Sequence, residues 1–358
     1  MSNHPVRLHS MDALLDPMAL DKVLGVVEGV RRIPFATNGY SGSVHERWEV
    51  ERRGGERLNL VLKRTRPTRD WTAFRTGDTV GREAVLLDTP ELAGVWSAFH
   101  CPYRAYVIQD GEIAVLMDDL SEHLFPDVDE PITLAHEDVL LDALASLHAK
   151  YWNSEVLGLP WLVTPAKFFA VLGPRSVASG EPGFALSDIV REGWRLAFSR
   201  LPTAISGLLS TPVEALARSC DGLPRTLLHG DAKIANFAVL PGDRCAAIDW
   251  AWTGAGPATL DLGWYLAVNA GRLARPKEAV SARYRALLES RLGAGLSAAV
   301  WEQMLDVGLL CGALMLLWSK ATALESGSGE AATEWEWWVD QLHRQVQSPH
   351  PDLAIGGR

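Results

Sequence analysis

Leu227-Leu228-His229-Gly230-Asp231-Ala232-Lys233-Ile234-Ala235-Asn236-Phe237 is followed by Ala246-Ala247-Ile248-Asp249-Trp250 and then by Gly256-Pro257-Ala258-Thr259-Leu260-Asp261-Leu262. Taken singly, Asp and Asn residues are turn formers and helix caps. Here His, Asp, Asn, Asp and Asp recur in a fixed order, each set in an apolar context, and the set as a whole points to chemistry. Asp231, on a short loop between apolar segments, can accept a proton from a hydroxyl group. Asn236, five residues on, offers an amide oxygen, and Asp249 at the end of an apolar run offers a carboxylate. Two hard oxygen donors of this kind suit Mg²⁺, which keeps water and phosphate oxygens in its shell and is rarely caged by protein alone.

The pattern H-G-D-x-x-x-x-N, then I-D-W, then G-P-x-x-x-D-L resembles the aminoglycoside phosphotransferase-like family of small-molecule kinases, in which choline kinases and ecdysteroid kinase-like proteins also fall. Ala145-Ser146-Leu147-His148-Ala149 looks like that family's L-x-x-L-H-A segment, and the likeness covers most of the chain. It implies an α+β, protein-kinase-like two-lobed fold, with a small antiparallel-sheet N-lobe over residues 1–119 that binds nucleotide. A larger, mainly helical C-lobe over 120–358 would carry the catalytic loop, the metal site and the acceptor pocket. The resemblance further implies ATP and Mg²⁺ as cofactors, Asp231 as catalytic base, and Asn236 and Asp249 as metal ligands. Lys233 matches a protein-kinase lysine that meets the γ-phosphate, and reads equally as a solvent-exposed loop lysine. His229 and Asp261 look like the family's structural pair, which holds the loop by hydrogen bonds.

Upstream, the chain reads as strands and turns. Arg32 to Thr37 and Val44 to Val50 are expected to be extended, and Arg53-Gly54-Gly55-Glu56 is a hairpin signal leading into a strand over Leu58 to Lys63. A period of two sets Leu58, Leu60 and Leu62 on one face and Lys63 on the other. Residues 1–119 hold only two lysines, Lys22 and Lys63, among 15 basic residues. The kinase-like reading needs a strand lysine paired with a helix glutamate, and Lys63 and Glu83 match those places, with Asp78 as the cap of the helix. Asn38-Gly39-Tyr40-Ser41-Gly42-Ser43 occupies the place of the nucleotide loop, so Gly39, Ser41 and Gly42 are candidate phosphate contacts through backbone N–H groups. Met117 and Asp119 fall where the resemblance implies hydrogen bonds to the adenine edge. Strands are expected over Arg104 to Gln109 and Glu112 to Met117. Helices are expected over Leu14 to Val30, Thr133 to Trp152, and around 186–200, 276–292, 297–324 and 330–347.

Composition bounds these readings. The 358 residues are 47% apolar and 22% charged, enough for a sizeable core, which excludes disordered and collagen-like chains. Residues 1–119 carry 17 acidic and 15 basic residues and 120–358 carry 27 and 19, so no general nucleic-acid surface is expected. The acidic excess of the second part suits a cationic small substrate or simply a solvated surface. Cys101, Cys220, Cys245 and Cys311 lie far apart without metal spacing, and the first thirty residues show no leader, so a cytoplasmic location is expected. Met304 to Trp318, about 15 residues with Asp306 inside, is shorter than the ~20 residues of a membrane span and reads as a buried helix. Most of the fourteen tryptophans read as packing residues. The expected activity is transfer of the γ-phosphate of ATP to a hydroxyl of a small molecule: an aminoglycoside, amino sugar, amino alcohol or related metabolite. The rival is a non-catalytic nucleotide-binding regulatory protein of the same fold. A protein kinase is disfavoured by H-G-D and I-D-W in place of H-R-D and D-F-G.

Overall fold

Alternating strand residues give one buried face and one that carries polar groups, and the N-terminal part of the chain is built on that rule. The computed structural model describes residues 4–36, 42–126, 128–177 and 185–347. Two compact units are formed, one from Met1–Asp127 with Ala235–Thr253, the other from Val128–Ile234 with Gly254–Arg358.

In the first unit, β1 (Val6–Arg7), β2 (Val27–Phe35), β3 (Val44–Arg52), β4 (Arg57–Thr65), β5 (Tyr103–Gln109) and β6 (Glu112–Asp118) make a six-stranded sheet in the order β1-β5-β6-β4-β3-β2. Every pairing is antiparallel except β1 with β5, a two-residue parallel edge that was not among the expected strands. Leu60 and Leu62 enter a core with Trp48, Val50, Ala105, Val107, Ala114 and Leu116, as the alternation requires. Leu20 and Leu24 of the Pro17–Leu24 helix join the same core. That helix is shorter than expected. Gly25 adopts a left-handed φ of 78°, and the β-branched, half-buried residues from Val27 onward serve the sheet instead of a longer helix. β8 (Phe237–Leu240) and β9 (Arg244–Ala247) form a separate hairpin of this unit.

Among the described residues of the second unit, the strands are β7 (Thr226–Leu228) and β10 (Gly254–Gly256), which pair, and helices dominate the rest. Its main helices are Leu134–Lys150, Ala185–Arg200, Thr259–Val268, Lys277–Leu292, Ala298–Ala323 and Gly329–Gln347. The α+β class, with the sheet in the N-terminal region and helices dominating the C-terminal region, is therefore the one expected. The apolar Met304–Trp318 stretch is part of a 26-residue helix, because its flanks continue helical beyond the apolar run. Among the described residues, Ala298–Ser326 is the stretch long and apolar enough to cross a membrane, yet 61% of its apolar 18-residue segment is buried inside the protein. It packs as a core helix against Thr259–Val268, where Gly263 and Gly308 meet: a Cβ at Gly263 would lie 1.8 Å from the carbonyl oxygen of Gly308.

Gly308→Ala would set a Cβ 2.1 Å from the backbone oxygen of Thr259. Forcing the two helices apart is expected to cost about 1–3 kcal/mol, read as a lower urea midpoint with unchanged slope.

Candidate active site

The loop that contains Asp231 is laid along the Thr259–Val268 helix. Asp261, only 1% exposed, accepts the backbone N–H of His229 through Oδ2 and that of Gly230 through Oδ1, both at 2.8 Å. One carboxylate can take both donors because Gly230 turns the chain with a left-handed φ of 84°. Three residues further along the helix, Trp264 donates its indole N–H to Asp231 Oδ1 at 2.7 Å. At the end of the helix, Asn269 accepts the N–H of Ile234 at 2.8 Å and donates to the carbonyl of Ala232 at 3.1 Å. Residues i and i+3 share a helix face, so one face holds the loop by backbone and side chain alike.

Asp261 and His229 act together as expected, but through the backbone N–H of His229. The imidazole that meets the Asp261 carboxylate belongs to His148, whose Nε2 lies 3.1 Å from Oδ2 and whose Nδ1 meets the Tyr284 hydroxyl. His229 itself is fully buried, and its Nδ1 accepts the N–H of Asp231 at 3.2 Å. Lys233 is half-buried, with its backbone N–H bonded to the Asp231 carbonyl at 2.7 Å.

The remaining described candidates lie in the first unit. Lys63 extends from the face of β4 opposite the leucine core, and its Nζ lies 2.7 Å from Glu83 Oε2 and 2.8 Å from Asp249 Oδ1. Burial alone pulls the ammonium pKa down. Asp249 and Glu83 outweigh that and hold Lys63 charged, well above its ordinary value. Glu83, 2% exposed, sits in the first turn of the Arg82–Asp88 helix and also accepts the Tyr103 hydroxyl at 2.8 Å. The N-cap of that helix is Gly81, not Asp78; Asp78 lies three residues earlier, where its carboxylate accepts the N–H groups of Val80, Gly81 and Arg82.

Asn236 and Asp249 flank the same end of the β8–β9 hairpin: Phe237 pairs with Ala247, and the Ile248 N–H reaches the Asn236 carbonyl at 3.0 Å. Asp249 adopts a left-handed φ of 63°, unusual for a residue other than glycine. It is held by its neighbour Trp250, which is fully buried and set edge-on against Trp96 and Phe99. Among the described residues no three His, Cys, Asp or Glu side chains gather as a metal cage. The donor set at the hairpin end, an amide and a carboxylate, instead fits a Mg²⁺ ion that completes its shell with phosphate and water.

Gly42 donates its N–H to Asp70 Oδ2 at 3.1 Å, and a Cβ there would lie 2.5 Å from the Arg69 carbonyl oxygen, so the close approach requires glycine. Gly39 and Ser41 lie outside the described residues. Met117 is buried in β6, opposite Val61 of β4. The Asp119 N–H donates to the Asn59 carbonyl and the Asp118 N–H to the Pro102 carbonyl, both at 2.9 Å, so a base edge meeting this segment would have to use its other backbone groups. The Asp119 carboxylate takes Arg47 at 2.8 Å.

Sequence reading missed Trp264, Tyr103, Asn269 and the pairing of His148 with Asp261. Only the i, i+3 spacing of Asp261 and Trp264 carried a signal. Residues 175–296, about a third of the chain and including this loop, match the model of the phosphotransferase enzyme family. The chain is also similar to the choline kinase of Streptococcus pneumoniae, at 13% identity over 94% of this chain and 100% of that one, with a TM-score of 0.44. An aminoglycoside-3'-phosphotransferase of type VIII matches at 15% identity over 81% and 97%, with a TM-score of 0.44. A macrolide 2'-phosphotransferase from Brachybacterium faecium matches at 15% over 93% and 97%, again with a TM-score of 0.44. No curated protein matches the chain.

Lys63→Met would leave Glu83 buried without its cation and is expected to cost about 3–5 kcal/mol of stability. Tyr103→Phe, which removes one neutral donor from the same carboxylate, should cost less, about 1–3 kcal/mol. Urea unfolding of both proteins checks the order.

Proposed function

We propose that the protein is an ATP-dependent phosphotransferase that passes the γ-phosphoryl group to a hydroxyl of a small molecule. The observation that carries this reading is the Asp231 carboxylate, held by Trp264 above a loop whose backbone is fixed by Asp261. Phosphoryl transfer asks for positioning and charge stabilisation more than for covalent chemistry from the protein. The acceptor oxygen bonds to the γ-phosphorus as the bond to the β–γ bridging oxygen breaks, ADP leaves with that electron pair, and the hydroxyl proton passes to Asp231. Lys63, kept charged by Glu83 and Asp249, is the phosphate anchor. Asn236 and Asp249 are the residues that would hold Mg²⁺, which when bound supplies positive charge against the phosphate oxygens. Lys233 adds a further cation two residues from the base. Residues 1–119 supply the nucleotide-binding part, Gly42 included, and residues 120–358 the catalytic loop and acceptor pocket. An amino group on the acceptor suits the acidic balance of the chain, formally −10, and aminoglycosides, amino sugars and amino alcohols are the classes to try. The reading places the protein in the cytoplasm, where ATP and reduced thiols are found.

Asp231→Ala is expected to lower phosphate transfer about 10²- to 10⁴-fold, measured as ADP formation with MgATP across a panel of those acceptors. A variant with the wild-type rate would falsify the assignment of the base.

A further inference from the structure

We infer that Trp264 is a positioning residue for the reaction, setting the orientation of the Asp231 carboxylate. This role rests on the phosphotransfer reading of Asp231. An indole N–H can only donate, so the 2.7 Å contact identifies Oδ1 of Asp231 as the acceptor without ambiguity. A carboxylate is planar. Once its backbone and Cβ are fixed and one oxygen is anchored, the other oxygen, which on this reading takes the hydroxyl proton, is confined to a narrow range of positions.

Both anchors come from one helix. Asp261 holds the loop backbone at His229 and Gly230, and Trp264, one turn on, holds the side chain of the next residue. Trp264 is 6% exposed and stands in a helix whose residues Thr259 to Ala267 are all buried, so the indole has little freedom to turn away. Its contact length is that of a charge-assisted bond. A preset base avoids the cost of ordering itself as the reaction proceeds. The aromatic ring alone would serve packing equally well with a carbon edge toward Asp231. The N–H is what distinguishes a positioning role from a packing one, and the test separates the two.

In the full-length protein, the indole N–H resonance of Trp264 is the one lost from the proton–nitrogen spectrum on Trp264→Phe. Asp231→Ala is expected to move that resonance upfield by removing its acceptor, and an unmoved resonance overturns the contact. Replacing Trp264 by benzothienylalanine keeps the ring shape and deletes only the N–H. That protein is expected to keep the wild-type thermal midpoint and KM for MgATP, and to lose about 10- to 100-fold in kcat, with phosphate release from MgATP to water as the assay. Wild-type kcat in the benzothienylalanine protein together with an inactive Asp231→Ala overturns the positioning role alone. Wild-type turnover in Asp231→Ala overturns the phosphotransfer reading, and the positioning role falls with it.

Discussion

The buried carboxylate of Asp261 is the constraint on which the second unit depends. A loop taken out of water must still satisfy its N–H groups, and each left unmade would cost about 1–3 kcal/mol. Asp261 satisfies two of them and is itself held by His148, which in turn meets Tyr284. Three helices are tied to one loop through that carboxylate: Leu134–Lys150, Thr259–Val268 and Lys277–Leu292. The close crossing at Gly263 and Gly308 follows from the same need. A helix that must brace the loop from within the core has helices on its other faces, and small residues let those backbones approach.

The first unit solves a related problem with charge. Lys63 is buried, and a buried ammonium alone would shed its proton. Two carboxylates keep it charged, and Tyr103 supplies Glu83 with a further donor. Such an arrangement is seldom the most stable filling of its volume, since apolar residues of the same size often do as well or better. The proposed role of Lys63 as a phosphate anchor would account for a buried charge in place of an apolar side chain. Asp249 carries the same mark, because its left-handed backbone costs free energy that the Trp250 packing beneath it must offset.

What could be read in the sequence divides along physical lines. Strand alternation, paired turn glycines and helical spacing are local, and they located β3 to β6 and the long helices within a few residues. The H-G-D loop and its partners were legible because their order and spacing are written along the chain. Trp264 on Asp231, Tyr103 on Glu83 and His148 on Asp261 were not, since each contact joins residues 20 to 113 positions apart and exists only once the elements pack. The β1 edge was invisible for another reason: two residues have no period. The helix expected to run to Val30 shows the limit of periodicity where a glycine and a β-branched run compete for the same residues.

The boundary between the two units falls between Ile234 and Ala235, inside the motif itself. On one side Asn269 pins the N–H of Ile234, and on the other the ladder of β8 with β9 fixes Phe237 against Ala247. Asp231 and Asn236, the proposed base and the proposed metal ligand, thus belong to separate frameworks. The spacing from Asp231 to Asn236 is read directly along the chain, whereas the partners that hold each residue in its own unit are contributed by distant segments.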